Sequence, residues 1–333
     1  MYPVASARHL PLPPADIRTR FHVHEPADTR FRACARMLQA VWREKNKLPM
    51  GEYVRAGEGA VPLGSRLASQ AARAGYNYLS PDIARLVRRE LAYRERGALM
   101  DEARLWENLL SSSALTFNLL GPLKLDMALA ATVLSHLLGI GIRAVDGVYF
   151  ETSPGRGDPA YIGDGTALDA LITYTATDGV SGMIGIEVKY AESPVATANP
   201  FTPQTLDIAE RSGLFINAKA GLLHLPRMRQ FLAEHALCFS TVHDHRHFER
   251  GHMIVIAPTQ NSEMATTIAE YQSLLTTEQN SILPFIPVSL EAMVAAIHDA
   301  SATDIGRKLD RRYLDLSPIY ELIDEWVPHG ATS

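Results

Sequence analysis

Residues 166–192 read TALDALITYTATDGVSGMIGIEVKYAE. Two runs rich in Ile, Val, Tyr and Thr flank Thr177-Asp178-Gly179, a turn by composition. The pattern predicts two strands, Ala167–Ala176 and Met183–Ala191. Each carries charge where a buried strand should carry none. Asp169 sits among Leu168, Ala170, Leu171 and Ile172, and Glu187 and Lys189 sit inside GMIGIEVKYAE. Residues two apart on a strand share a face, so Glu187 and Lys189 point together and Val188 points away. A turn at Asp178-Gly179 that makes the strands neighbours lets Asp169 lie beside Glu187. Three ionisable groups then converge on one side of a sheet.

Such a convergence has a chemical use. Two close carboxylates repel unless a cation lies between them. Oxygen ligands from Asp and Glu, completed by water, suit Mg²⁺, which polarises a phosphoryl oxygen and acidifies a bound water. A lysine alongside orients or deprotonates that water, or stabilises charge developing on a phosphate. Glu-x-Lys alone is a common cross-strand ion pair. Asp169, eighteen residues earlier in an apolar strand, makes the combination more specific.

Outward from this pair, Ile140–Thr152 predicts a preceding strand, and HMIVIAP (252–258) predicts a short strand buried on both faces. Helical spacing covers Asp101–Leu138 with a break at Gly121-Pro122, then about 203–213 and 224–239. The remainder alternates helices with a strand-like stretch, Ile282–Val288. A three-strand meander followed by a crossover helix and another strand predicts an α/β protein with a mixed sheet flanked by helices. Residues 1–29 read as an extended arm and Arg30–Lys47 as a helix. Gly51–Gly64 is glycine-rich, and a helix opens at Ser80-Pro81 and runs to about Arg96.

Asp169 followed by Glu187-Val188-Lys189, on the second and third strands after a long helix, resembles the PD-(D/E)XK nuclease superfamily, with its restriction-endonuclease-like fold. The stretches ARLWENLLSSSALTFNLLGPL, VYFETSPGR, TALDALITY and IEVKYAE more particularly resemble a poorly characterised bacterial branch. The likeness is good over about 101–260. The proline usual before the aspartate is replaced by Leu168. The resemblance implies that Asp169 and Glu187 hold Mg²⁺, with Mn²⁺ an alternative, and that Lys189 is the catalytic lysine. It makes Glu151, in YFET, a further ligand or water-positioner. Glu107 is an alternative acidic residue from the preceding helix, though a surface charge is the better reading, and Asn118 is a candidate to order the helix end. Tyr190, Arg229 and Gln230 are candidates for the polar residue that many members place near the scissile phosphate. The implied activity is metal-dependent endonucleolytic hydrolysis of phosphodiester bonds, most naturally in DNA. A catalytically inactive module that binds nucleic acid or a protein partner is the alternative.

The chain has 333 residues, 47% hydrophobic, with a formal net charge of −5. That sum conceals an asymmetry. The first hundred residues hold 17 Lys or Arg, 15 of them Arg, against 9 Asp or Glu; the other 233 hold 15 against 28. A basic helical N-terminal region (1–100), a catalytic core (101–260) and a C-terminal helical part (261–333) follow as the expected organisation. Arg85, Arg88, Arg89 and Arg96 fall on one face of the helix expected to run to Arg96, a candidate for phosphate contacts as well as an ordinary solvated face.

Other classes recede. Two cysteines, Cys34 and Cys238, make neither a disulfide framework nor a four-thiolate zinc site. HDHRHFERGH places His243, His245, His247 and His252 close together, in no recognisable zinc spacing; a hydrolase built on that cluster is a third, weaker reading. GEGAVPLGS (57–65) lacks the Lys-Ser/Thr ending of a phosphate loop, and Ser111–Ser113 lack a nucleophile-elbow context. MYPVASARHLPLPP has no apolar core of signal-peptide length, and Met127–Ile142 is too short to span a bilayer. The expectation is a cytoplasmic protein with no membrane partner, and double-strand cleavage by one site per chain points to a homodimer.

Overall fold

The β-branched runs pair as their spacing predicts. The computed structural model describes residues 10–55, 57, 59–193, 201–276, 283–301 and 304–326. A mixed five-stranded sheet lies at its centre, in the order β3 (Ile142–Thr152), β4 (Leu168–Ala176), β5 (Ser181–Val188), β6 (Arg250–Ala257), β7 (Phe285–Ser289). The first three form an antiparallel meander, and β5, β6 and β7 run parallel. β5 and β6 are buried almost end to end, as strands covered on both faces must be.

Among the described residues the helices are α1 (Ala15–Arg20), α2 (Arg30–Lys45), α3 (Ser69–Ala74), α4 (Pro81–Ala92), α5 (Glu102–Trp106), α6 (Ser112–Leu125) and α7 (Met127–Leu138) before the sheet. Then come α8 (Pro203–Arg211) and α9 (Arg229–Phe239) between β5 and β6, and α10 (Ser262–Ser273) between β6 and β7. The helices α11 (Leu290–Ala300), α12 (Ile305–Tyr313) and α13 (Ser317–Asp324) follow β7. Alternation along the strands sorts the core into two layers. Ile172, Ile184, Ile186 and Ile254 join the side chains of α6, α7 and α11, whereas Leu171, Met183, Met253 and Val255 join those of α8, α9 and α10.

Several expectations are corrected. The glycine-rich stretch is a hairpin, β1 (Met50–Arg55) with β2 (Gly59–Leu67), turned through Gly57 and Gly59 at φ of +84° and +79°. The N-terminal region is therefore not wholly helical, and the arm contains α1. Residues 1–9 of that arm, and Ile282 of the C-terminal strand-like stretch, lie outside the described residues. The remainder of that stretch supplies β7, so the sheet is completed from beyond residue 260. The break in the long helical region is not at Gly121-Pro122, which lies inside α6, but at Asp126, whose side chain caps α7. Gly121 packs against Ile83 and Leu86 of α4, which lie 3.4 Å from where a Cβ would stand, ordinary contact distance. No single helix among the described residues is long and apolar enough to cross a membrane.

α4 ends at Ala92 rather than Arg96, and Glu95, beyond its end, accepts from the Ser153 N–H. Arg96 is thus off the helix that was to align it with Arg85, Arg88 and Arg89. Buried Arg312 ties the C-terminal part to the N-terminal one. It lies 3.9 Å from the Trp42 ring centroid and donates to Gln39 Oε1, Asn77 O and Asn77 Oδ1.

Candidate active site

Register builds the site. Phe150 pairs with Ala170 and Thr152 with Leu168, so Glu151 stands across from Asp169. Ala170 pairs with Ile186, so one step further along Asp169 stands across from Glu187. Three carboxylates from three adjacent strands therefore form one row. Glu151 has φ of +46°, a left-handed conformation uncommon for a residue with a Cβ and of a kind that concentrates at functional sites. Glu151 and Asp169 line a small cleft of about 40 Å³, bordered by Arg104, Thr116 and Phe150.

Asp169 is anchored by the Val188 N–H, which donates to its Oδ2 at 2.8 Å. Burial and the neighbouring Glu187 push the Asp169 carboxyl well above the usual carboxylate range, against the pull of Lys189 and the Val188 N–H. Glu151 is likewise pushed up, to about 7. Burial is the main cause, Glu187 and Glu95 add to it, and Arg156 and Arg104 oppose it.

Glu187 is 3% exposed. Its Oε1 lies 2.5 Å from Lys189 Nζ. Gln230, on the first turn of α9, closes a triangle: its Nε2 donates to Glu187 Oε1 at 2.6 Å, and its Oε1 accepts from Lys189 Nζ at 2.6 Å. Burial alone would lower the Lys189 ammonium. The Glu187, Glu234 and Asp169 carboxylates outweigh that and hold it above its ordinary value. Lys189 is therefore a cation, suited to charge stabilisation and to orienting a water rather than to accepting a proton.

The structure thus brings Asp169, Glu187, Lys189, Glu151 and Gln230 together. It places the other candidates elsewhere. Glu107 binds Arg66 and Ser69, and Asn118 joins Leu79 N, Asn77 O and Tyr313 Oη inside the core. Tyr190 is buried against Phe31 and Tyr313, and Arg229 lies over Phe201. On α4, Arg85 pairs with Asp82, Arg88 donates to Arg73 O and lies over Trp106, and Arg89 is 3.7 Å from Glu90. The histidines do not converge. His245 and His247 stack with each other and with Tyr161, but His243 stacks apart on Phe239, and His252 lies buried on β6.

Two contributors escaped sequence reading. Glu95 accepts hydrogen bonds from Thr152 Oγ1 and Ser153 N and pairs with Arg156, fixing the chain just after Glu151. Glu192 accepts from Tyr190 N and Ser112 N, fixing the chain just after Lys189. Their signal was only closeness in sequence to site residues or to a helix end, which many carboxylates share.

Compared with protein families, the chain matches the PD-(D/E)XK nuclease superfamily over residues 26–315. That span is most of its length, and the chain belongs to this superfamily. The nuclease-type fold read from Asp169, Glu187 and Lys189 is thereby shown. No curated protein and no solved structure matches it.

Among the described residues no three His, Cys, Asp or Glu side chains gather into a ready-made metal cage. The donor set nonetheless fits Mg²⁺, which is usually held by one or two carboxylates, with waters and substrate phosphates completing its shell. Burial is the main cause of the raised Asp169 carboxyl; the Glu187 charge that adds to it is the part a cation between the two would relieve.

Proposed function

We propose that this chain is a divalent-metal-dependent nuclease that hydrolyses phosphodiester bonds in DNA. The observation that carries the reading is the register row Glu151–Asp169–Glu187 with Lys189 tied to its end. Asp169 and Glu187 would hold Mg²⁺ or Mn²⁺, with Glu151 in support. Bound there, the metal supplies Lewis-acid polarisation of a phosphoryl oxygen and a more acidic water. The chain's own residues do the remainder. Lys189 meets the growing negative charge of the attacked phosphate with a fixed ammonium and orients the water. Gln230 keeps Lys189 in place. Glu95 and Glu192 hold the backbone on either side of the row.

Arg85, Arg88, Arg89 and Arg96 belong to this proposal as DNA-backbone contacts, although Arg85, Arg88 and Arg89 have local partners with which a phosphate would compete. One row per chain makes double-strand cleavage the work of a homodimer. Calorimetric titration with Mg²⁺ and Mn²⁺, and incubation with DNA and RNA of matched sequence, test the reading. Metal uptake with DNA cleavage supports it. Absence of both metal uptake and cleavage sinks it, and leaves a module that binds without cutting.

A further inference from the structure

Glu151 keeps its left-handed φ of +46° inside a paired strand: the ladder between β3 and β4 steps across it, from Phe150–Ala170 to Thr152–Leu168. Such a backbone is unfavourable for a residue with a Cβ and persists only where its surroundings dictate it. Arg156 supplies those surroundings. Its side chain is 12% exposed. Nη2 donates at 3.0 Å to Glu151 O, the carbonyl of the strained residue itself. Nη1 donates at 3.1 Å to Gly165 O, three residues before β4 begins. Nε and Nη2 also reach Glu95 Oε2, at 3.4 and 3.2 Å, the oxygen that takes the Ser153 N–H. A local turn brings the guanidinium back under the strand end. Arg156 N donates to Ser153 O at 3.1 Å, and Gly155 and Gly157 on either side have φ of +62° and +74°. One planar fork thus ties the end of β3 to the approach to β4, the strands that carry Glu151 and Asp169. A clasp for the loop alone would need only Gly165 and Glu95. The bond to Glu151 O falls on the one member of the carboxylate row whose backbone is left-handed.

We propose that Arg156 is a positioning residue for Glu151: by holding the Glu151 carbonyl and the approach to β4 together, it fixes the left-handed backbone that sets Glu151 in the cleft it shares with Asp169, without itself touching metal or substrate. The inference rests on the nuclease reading, in which that cleft takes up a divalent cation. It adds a residue from the β3–β4 loop, outside the Asp–Glu-x-Lys pattern.

The test uses the full chain with Mn²⁺ alone as probe, read by calorimetry beside thermal unfolding. Removing a positive charge next to the row would by itself tighten a bound cation. Loss of positioning does the opposite. Arg156→Ala should weaken Mn²⁺ binding about tenfold, the usual effect of removing a residue that orients a ligand. Arg156→Lys keeps the charge but not the planar fork, and should weaken binding as well. In a Glu151→Gln background the same changes should move the affinity by no more than about twofold, because Arg156 acts through Glu151. Wild-type or tighter Mn²⁺ binding in Arg156→Ala, whatever its melting temperature, overturns the inference. So does an equal loss with Glu151 already replaced. If Arg156→Ala fails to fold, Arg156→Lys decides: a loss that disappears in the Glu151→Gln background supports the role, and unchanged binding removes it. Wild type that takes up no Mn²⁺ defeats the nuclease reading itself; wild type that binds beside unaffected Arg156 variants defeats this inference alone.

Discussion

Asp169 on β4 accepts a hydrogen bond from the backbone N–H of Val188 on β5, the residue between Glu187 and Lys189. One carboxylate oxygen thus holds the two strands in register. This dual task separates two substitutions. Asp169→Asn keeps an acceptor for Val188 and should melt near wild type. Asp169→Ala strands a buried N–H and should lose about 1–3 kcal/mol of stability. Both should abolish cleavage. Chemical denaturation of the two variants checks the difference, and equal stabilities would show that the bond contributes little.

Gln230 joins Glu187 to Lys189 at 2.6 Å on each side. Replacing it with Leu leaves the Lys189–Glu187 pair but removes its brace. Cleavage or metal affinity should fall about 10–100-fold, the usual effect of losing a residue that orients ligands. Rates measured across a metal titration read this directly. An unchanged rate at every metal concentration would make Gln230 a bystander.

Much of this site was legible in the sequence. Strand registry follows from alternation and from the Asp178-Gly179 turn, so placing Asp169 across from Glu187 needed only the pairing of neighbouring strands. Gln230 was legible only through family resemblance, because its triangle with Glu187 and Lys189 depends on how α9 packs. Glu234 was not legible. In RQFLAEHALCF an acid reads as the solvent face of an amphipathic helix, yet Phe231–Phe239 are all buried. The β1–β2 hairpin was hidden by glycine and proline, which obscure alternation while supplying the turn. Arg312 was hidden too, since its partners Gln39 and Asn77 lie more than two hundred residues away.

Arg312 is fully buried, with its guanidinium satisfied by Asn77, Gln39 and the Trp42 ring. Arg312→Ala leaves those polar groups unpaired and removes the clasp between the α2 region and α12. It should cost about 3 kcal/mol or more. Arg312→Lys should recover little of this, because an ammonium cannot reproduce the planar fork. Urea unfolding of both variants checks the prediction; a loss under about 0.5 kcal/mol, typical of surface substitutions, would contradict it.

His235 is wholly buried on α9, and burial pushes it down from 6.5 to about 4. Its Nε2 lies 3.0 Å from Leu283 O, a group that only accepts, so Nε2 carries the proton and the folded ring is neutral. Between pH 6.5 and about 4 the unfolded chain binds a proton that the folded chain refuses. Stability should therefore fall as pH drops through that window, by up to ~3 kcal/mol from this residue. His235→Gln should flatten the slope by close to one proton. A slope identical to that of wild type would contradict the assignment.

The Asp169–Glu187–Lys189 group is proposed to be an active phosphodiesterase centre. The most direct measurement sets wild type beside Asp169→Asn on plasmid DNA with Mg²⁺, in parallel with chelator. Wild type should nick or linearise the plasmid only when metal is present, and the folded Asn variant should leave it intact. Equal cleavage by both proteins, or none by wild type with either Mg²⁺ or Mn²⁺, would contradict the claim.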